Sequence, residues 1–292
     1  MMPQNNLVRD LLVTAFAPLV WGSTYLVTTQ LLPPSMPLWA STLRALPAGI
    51  ILLIVSRSRL SLGWWGKIFL LGILNIGFFF YCLFVAAYYL PGGLAALVMA
   101  CQPIIVMVLS LYVFKVPLLK IHCWSALLGI IGIALLVLNS SAVLHWQGIV
   151  AGILGMCSMA AGIVLTKQWG RPKGVSLLGF TGWQLLIGGM VLLPVAIWHE
   201  GIPSQLSMKN VAGYSYLCVV GSICAYMLWF RGIERLPAVT ISFLGFLSPL
   251  SACVLGYLVL RQGFSPLQSL GAVAIIAALV LVNVNPKRKA IK

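Results

Sequence analysis

Acidic side chains are nearly missing from this 292-residue sequence, which holds three Asp and Glu against eighteen Lys and Arg. Histidine is as scarce, with three. Asp10, Glu200 and Glu234, like His122, His145 and His199, fall at or beyond the ends of apolar runs. A catalytic site needs carboxylates, imidazoles or a metal cluster converging on one place, and this pattern offers none. No H-E-x-x-H, nucleophile elbow or phosphate loop is present either, so an enzyme is not expected, nor any cofactor or metal. Charge of both signs is low, at 7% of residues, where a soluble domain carries roughly 25%. Such a chain cannot cover its surface with polar groups in water.

Apolar residues make up 61% of the sequence and the mean hydropathy is +1.07, the composition of an integral membrane protein. The net charge of +15 does not point to nucleic acid. Its basic residues are spread thinly between apolar runs, with no basic stripe interleaved with aromatics. The seven cysteines (Cys82, Cys101, Cys123, Cys157, Cys218, Cys224 and Cys253) lie in or beside those runs without a C-x-x-C pair, and read as small apolar residues.

Crossing about 30 Å of hydrocarbon takes roughly 20 helical residues. Ten spans satisfy this, at 11–31, 35–56, 67–89, 92–114, 121–139, 146–166, 176–198, 210–230, 237–260 and 267–284. Breaks at Pro33-Pro34, Pro91-Gly92, Pro117, Pro172-Lys173-Gly174, Gly201-Ile202-Pro203 and Ser265-Pro266 separate them. A β-barrel needs segments of about ten residues with alternating polarity, and these runs are uniformly apolar. The first run is too long for a signal-peptide core and lacks a small-x-small cleavage site after it.

Basic residues set the orientation. With the N-terminus inside, fifteen of the eighteen fall on the cytoplasmic side: Arg9; Arg57, Arg59 and Lys67; Lys115 and Lys120; Lys167, Arg171 and Lys173; Arg231 and Arg235; Lys287, Arg288, Lys289 and Lys292. Only Lys209 and Arg261 fall outside, and Arg44 lies within a span. This bias predicts cytoplasmic N- and C-termini. The basic tail is then placed to meet anionic lipid headgroups.

Leu90, Pro91, Pro103, Lys115 and Asn139 recur 146 residues later as Leu236, Pro237, Pro249, Arg261 and Asn285. Half the chain is thus a copy of the other half. A unit of five spans, when duplicated, must cross the membrane in the opposite sense, as in many secondary transporters. The expected fold is an all-α integral membrane protein with ten transmembrane helices in two inverted five-helix repeats, 1–139 and 146–292.

Within the hydrocarbon the one charge is Arg44, about 13 Å along the second span from Ser35 at 1.5 Å per residue. A cation there is costly and usually functional. Three readings stand open: a brace that donates to helix carbonyls, a contact for an anionic or carbonyl-bearing cargo, or a side chain snorkelling to an aqueous vestibule. With no acid at its depth, its partner is a neutral protein group, water or ligand. Arg44 does not titrate, and tyrosines and thiols would need large pKa shifts, which favours facilitated exchange or uniport, or coupling to protons on the substrate itself, over proton antiport.

Neutral polar and aromatic residues supply the remaining candidates for a small-molecule site. They are Trp21 and Tyr25 (beside Ser23 and Thr24) in the first span, Asn75 and Tyr81 in the third, and Gln102 in the fourth. The seventh adds Trp183 and Gln184, the eighth Tyr226 and Trp229, and the ninth Phe246 and Ser248. Gln102 and Gln184 stand out because a buried amide needs partners. Trp64, Trp65, Trp146, Trp169 and Trp198 lie near span ends, where an interfacial belt forms. Pro103 and Pro249, at matching places in spans four and nine, remove a backbone hydrogen bond each and either expose carbonyls to a midplane site or shape packing alone. Gly148, Gly152, Gly155 and Gly162 form a small-residue stripe that lets a neighbouring helix approach.

Several strings resemble the EamA family of the drug/metabolite transporter superfamily. They are Trp21-Gly22-Ser23-Thr24-Tyr25, Ala225-Tyr226-Met227-Leu228-Trp229-Phe230 with Arg235-Leu236-Pro237-Ala238, Leu247-Ser248-Pro249-Leu250 and Leu267-Gln268-Ser269-Leu270-Gly271-Ala272-Val273. Arg44-Ala45-Leu46-Pro47-Ala48-Gly49, Leu90-Pro91-Gly92-Gly93-Leu94-Ala95-Ala96 and Phe180-Thr181-Gly182-Trp183-Gln184-Leu185-Leu186 resemble its blue-pigment (indigoidine) exporter branch, the PecM-like proteins. The resemblance covers essentially the whole chain. It implies a bacterial inner-membrane exporter of small metabolites, with a cavity lined by spans 1–4 and 6–9 and spans 5 and 10 peripheral. Arg44 and Gln184 fall on the family's polar positions. The chain departs from it after spans four and nine, where Lys115-Val116 and Arg261-Gln262 stand in place of Gly-Glu.

Together these features point to a secondary transporter exporting a small, partly hydrophobic metabolite by alternating access. A facilitative uniporter or exchanger is one alternative. A sensor without flux is the other, and it lacks any sizeable loop to signal with. Expected partners are a small-molecule substrate and membrane lipid, with no nucleic acid, in a monomer or weak dimer.

Overall fold

The computed structural model describes residues 4–34, 36–90, 92–137, 145–203, 205–261 and 265–283. Every element among them is helical. Pro91, Asn139 and Asn285, used above as repeat anchors, lie outside the described residues, as do Ser35 and the side chain of Tyr25.

Among the described residues, ten helices are long and apolar enough to cross a membrane. They are α1 (Asn6–Leu31), α2 (Pro37–Ser56), α3 (Leu62–Ala86), α4 (Ala96–Phe114), α5 (Lys120–Val137), α6 (Trp146–Trp169), α7 (Leu177–Glu200), α8 (Met208–Arg235), α9 (Ala238–Val259) and α10 (Pro266–Asn283). Only a helix satisfies its own backbone in lipid, and uniformly apolar runs need no other reason to coil. Ends are set locally. Ser176 accepts a 3.1 Å hydrogen bond from the Gly179 N–H, and Ser207 with Asn210 forms a capping box. Gly170 and Gly201, at φ of +66° and +67°, turn the chain out of α6 and α7.

Several boundaries differ by a few residues from the sequence-based expectation, two of them around Asp10. Helix α1 starts earlier, taking in Asp10, and α8 runs on through Arg235. Asp10 was expected at the edge of the span. Instead it is 2% exposed, because Arg231 Nη2 donates to its carboxylate at 2.6 Å and Arg235 Nη1 stands 3.5 Å away.

Helices pair mainly across the two halves. Helix α2 packs along α7, and α5 along α10. Helix α1 packs on α8 and α9, while α6 packs on α3 and α4, the same relation with the halves exchanged. Glycine sets these distances. A Cβ at Gly49 of α2 would overlap the Leu186 main chain of α7, and one at Gly271 of α10 would stand 2.5 Å from the Gly132 carbonyl of α5. The α6 stripe behaves as expected, with Gly148, Gly152, Gly155 and Gly162 facing Leu90, Val98, Cys82 and Asn75. The outer surface is apolar, and Trp146 and Trp198 at helix ends are 70% and 86% exposed.

Irregular turns also recur between the halves. In α3 the Phe78 N–H reaches back to the Ile73 carbonyl, and in α8 the Ala225 N–H reaches the Val220 carbonyl. Both bonds close i→i−5 π turns, 147 positions apart. In α4 and α9 the helix breaks before each proline, at Ala100-Cys101 and Gly245-Phe246, with i→i−3 bonds such as Ile104 N–H to Cys101 and Ser248 N–H to Gly245. Pro103 thereby sits in the first turn of a new helix, where a missing N–H costs nothing.

Candidate functional site

A π turn leaves one main-chain carbonyl short of its usual i+4 N–H, and such turns gather at functional places. Here the carbonyl following each π acceptor takes donors from the opposite half. The Gly221 carbonyl in α8 accepts from Trp21 Nε1 at 3.0 Å and from Arg44 Nη2 at 3.1 Å. The Leu74 carbonyl in α3 accepts from Ser158 Oγ of α6 at 2.8 Å. One residue on, Asn75 Nδ2 donates to Gln184 Oε1 at 2.8 Å and to Thr166 Oγ1 at 3.1 Å. Two polar nodes therefore occupy the seam, each built by two helices of one half on the π turn of the other.

Arg44 is 4% exposed and its partners are neutral. Besides Gly221 it lies 3.4 Å from Ser222 Oγ, and its guanidinium sits 4.8 Å over the Phe80 ring. Of the three readings open from sequence, the geometry favours donation to a helix carbonyl. That carbonyl, however, belongs to a distorted turn at the centre of the seam. Around it Trp21 packs at 4.9 Å on Tyr226 and at 5.1 Å on Trp229, and Phe80 and Phe230 flank Tyr226.

Of the candidates, Trp21, Arg44, Tyr226 and Trp229 thus form one group, and Asn75 with Gln184 a second. Tyr81 is half-buried at the edge of the first group, reaching toward Trp39 and Ala196. Gln102 and Ser248 are half-buried beside the two helix breaks. Two candidates lie elsewhere. Trp183 stacks edge-on against Trp65 at 5.0 Å and donates to the Ser58 carbonyl, near one end of α7. Phe246 is pressed against Gly129 of α5 and packs in a separate core with Phe243. Phe80, Ser158, Thr166, Gly221 and Ser222 join the nodes without having been singled out from sequence. Asn75 and Gly221 are 146 residues apart, so the repeat itself held that signal.

Among the described residues, Gln102 Nε2, Gln184 Nε2, Asn75 Oδ1, Trp229 Nε1 and Thr24 Oγ1 are buried polar atoms with no protein partner. Unsatisfied polar atoms at this depth carry a cost unless something meets them. No three His, Cys, Asp or Glu side chains among the described residues lie close enough to hold a metal.

All three acids serve at the ends of the seam. At one end Asp10 ties α1 to α8, and Arg171 Nε meets Glu234 Oε1 at 2.9 Å. At the other, Glu200 of α7 accepts from the Leu38 and Trp39 N–H groups of α2, at 2.7 and 2.9 Å. A carboxylate at a helix N-terminus satisfies orphan donors and complements the helix dipole. Asn210 Nδ2 adds a 2.9 Å bond to the Leu31 carbonyl there.

Comparison with known proteins places this geometry. The EamA-like transporter family matches residues 9–138 and 146–284. Protein PecM of Dickeya dadantii is 50% identical over 95% of this chain and 94% of its own. The uncharacterized transporter sll0355 of Synechocystis is 28% identical over 95% of this chain and 91% of its own. A protein of known crystal structure superposes with a TM-score of 0.80 over 94% of this chain and 97% of its own, at 17% identity, and shows the fold alone. The chain is a multi-pass membrane protein and belongs to the EamA-like transporter family.

Proposed function

We propose that this transporter carries a small, partly hydrophobic metabolite outward across a bacterial inner membrane by alternating access. The N- and C-termini lie in the cytoplasm, as the Lys/Arg bias predicts. Two five-helix units, 1–139 and 146–292, rock about the seam. The observation that carries this reading is the pair of cross-half nodes on matched π turns, enclosed between two polar closures at opposite ends. A passage that opens alternately needs a middle that holds cargo and two ends that close in turn. Outward movement is the direction implied by the family resemblance.

Arg44, Gln184 and Asn75, with Trp21, Tyr226 and Trp229, are the side chains proposed to meet the cargo. Aromatic walls with a few fixed donors suit a flat, mostly apolar solute. Comparing metabolites in the medium of cells with and without the gene, then measuring flux of the leading compound in proteoliposomes, tests this. Purified protein that moves none of those compounds overturns it.

A second reading concerns energy. Every partner around Arg44 and Asn75 is neutral and holds its charge state near pH 7, which favours uniport or exchange. Flux with and without an imposed pH gradient separates the two. Gradient-driven accumulation of a non-titrating solute rules out this second reading.

A further inference from the structure

A cleft of about 470 Å³ opens where α6 ends, α7 begins and α8 ends. Its walls include Thr166, Lys167, Gly170, Arg171, Lys173 and Glu234. Three cations thus face one carboxylate, and that carboxylate is already engaged by Arg171. Lys167 Nζ is held in the wall by a 2.7 Å bond to the Glu234 carbonyl, which takes one of its three N–H groups. Arg171 spends Nε on Glu234 and Nη1 on the Val175 carbonyl at 2.9 Å, leaving three of its five. Lys173 is exposed at the rim. Gly170 and Gly174, both at positive φ, carry the chain around the opening, and no atom stands within 4 Å of where their Cβ would be.

The cleft borders one of the two polar nodes. Thr166, in its wall, is the hydroxyl that accepts from Asn75, which in turn donates to Gln184. A preorganised, cation-rich recess with donors to spare is built for the fork-like geometry of a carboxylate or phosphate. We propose that this cleft binds an oxyanion, at the end that the Lys/Arg bias assigns to the cytoplasm. The cleft becomes the mouth of the pathway, and the solute a carboxylate- or phosphate-bearing one, only if the transporter reading above holds. The two reservoirs of that chemistry are soluble metabolites and anionic lipid headgroups.

The test is calorimetric titration of the full chain in phosphatidylcholine nanodiscs with benzoate and with inorganic phosphate, at fixed ionic strength. Saturable binding of at least one probe is expected. It weakens about fivefold in Arg171→Gln and again in Lys173→Gln, as loss of a unit charge at a partly solvated position implies, and disappears in the double variant. Lys209→Gln, at the opposite end, leaves it unchanged. No saturable binding of either probe, or equal binding in the double variant, overturns the proposal. Adding phosphatidylglycerol then separates the sources. Loss of probe binding assigns the site to a headgroup, and its persistence to a solute. Because no flux is measured, binding that survives while transport fails removes the transporter reading and leaves the site.

Discussion

Replacing Arg44 with Met separates a brace from a working part of the pathway. The arginine gives a charge-assisted bond to the Gly221 carbonyl at 3.1 Å, worth about 1.5–3 kcal/mol. Its position over Phe80 at 4.8 Å adds about 1–2 kcal/mol. The 3.4 Å approach to Ser222 is too long to add much. Against these stands the cost of holding a cation at 4% exposure within a membrane-spanning helix, about 2.5–3.5 kcal/mol on insertion scales. Met fills similar volume, removes that cost, and does not orphan the carbonyl, which keeps its bond from Trp21 Nε1. The opposing terms nearly cancel, so Arg44→Met changes stability by no more than about 2 kcal/mol. Flux normalised to folded protein falls more than about tenfold, because bound cargo is left without one charge-assisted hydrogen bond. Unfolding in mixed detergent micelles gives the first quantity and proteoliposome flux the second. Destabilisation beyond about 4 kcal/mol, with flux tracking the folded fraction, refutes the reasoning and leaves Arg44 a brace. Unchanged flux in a folded variant removes it from the pathway.

Other perturbations follow from the same geometry. Asp10→Asn takes the negative charge from the 2.6 Å acceptor of Arg231, leaving at most a neutral amide oxygen, and loosens α1 from α8; since Arg231 keeps 19% of its side-chain surface in solvent, the cost is about 2 kcal/mol, read by thermal unfolding, with faster labelling of cysteines placed along the adjoining seam. Gly49→Ala brings a methyl to 2.7 Å from the Leu186 Cα and must part α2 from α7 by nearly 1 Å, which costs about 1–3 kcal/mol in the same unfolding assay. Lys115 and Arg261 end α4 and α9 in the left-handed region, at φ of +57° and +52°, so Lys115→Gly and Arg261→Gly each stabilise by about 0.5–1 kcal/mol.

The ten helices were legible because each is one uniform apolar run, and the Lys/Arg bias leaves little freedom in counting them. The site was legible only in part. Arg44, Asn75 and Gln184 announce themselves, since a polar side chain inside an apolar run must find a partner. Trp183 and Gln184 are adjacent, however, and neighbours on an α-helix point about 100° apart. Both cannot face the seam, and the amide takes it. Phe246 shows the other failure: aromatic identity says that a ring is buried, not which glycine receives it. Gly129 does, on a helix of the opposite half. Asp10 was misplaced because its burial depends on two arginines more than two hundred residues away. The π turns left no trace in composition, because Ile73–Gly77 and Val219–Cys224 read as ordinary apolar helix. They are shifts of hydrogen-bond register, and only their recurrence across the repeat sets them apart.

That recurrence permits a test that spares the surrounding packing. A π turn is an α-helix carrying one extra residue, so deleting one residue within it restores α geometry and leaves both flanks facing as before. Removing Ile73 from α3, or Val219 from α8, therefore keeps Phe80 over Arg44 and Tyr226 beside Trp21. Val219 is 47% exposed on the lipid side, so its loss opens no cavity. What disappears is the unpaired carbonyl: Gly221 regains an i+4 N–H and no longer calls for Trp21 and Arg44. Regular helix is more stable than the distorted turn by itself, while the severed cross-half bonds weaken it, one to Leu74 and two to Gly221, at about 1 kcal/mol or more each. The Val219 deletion should accordingly lose more stability than the Ile73 deletion, and both should fold and lose flux. If either deletion transports at the native rate, the widened turns are remnants of an insertion in the ancestral half, and the nodes built on them hold the bundle together without handling cargo.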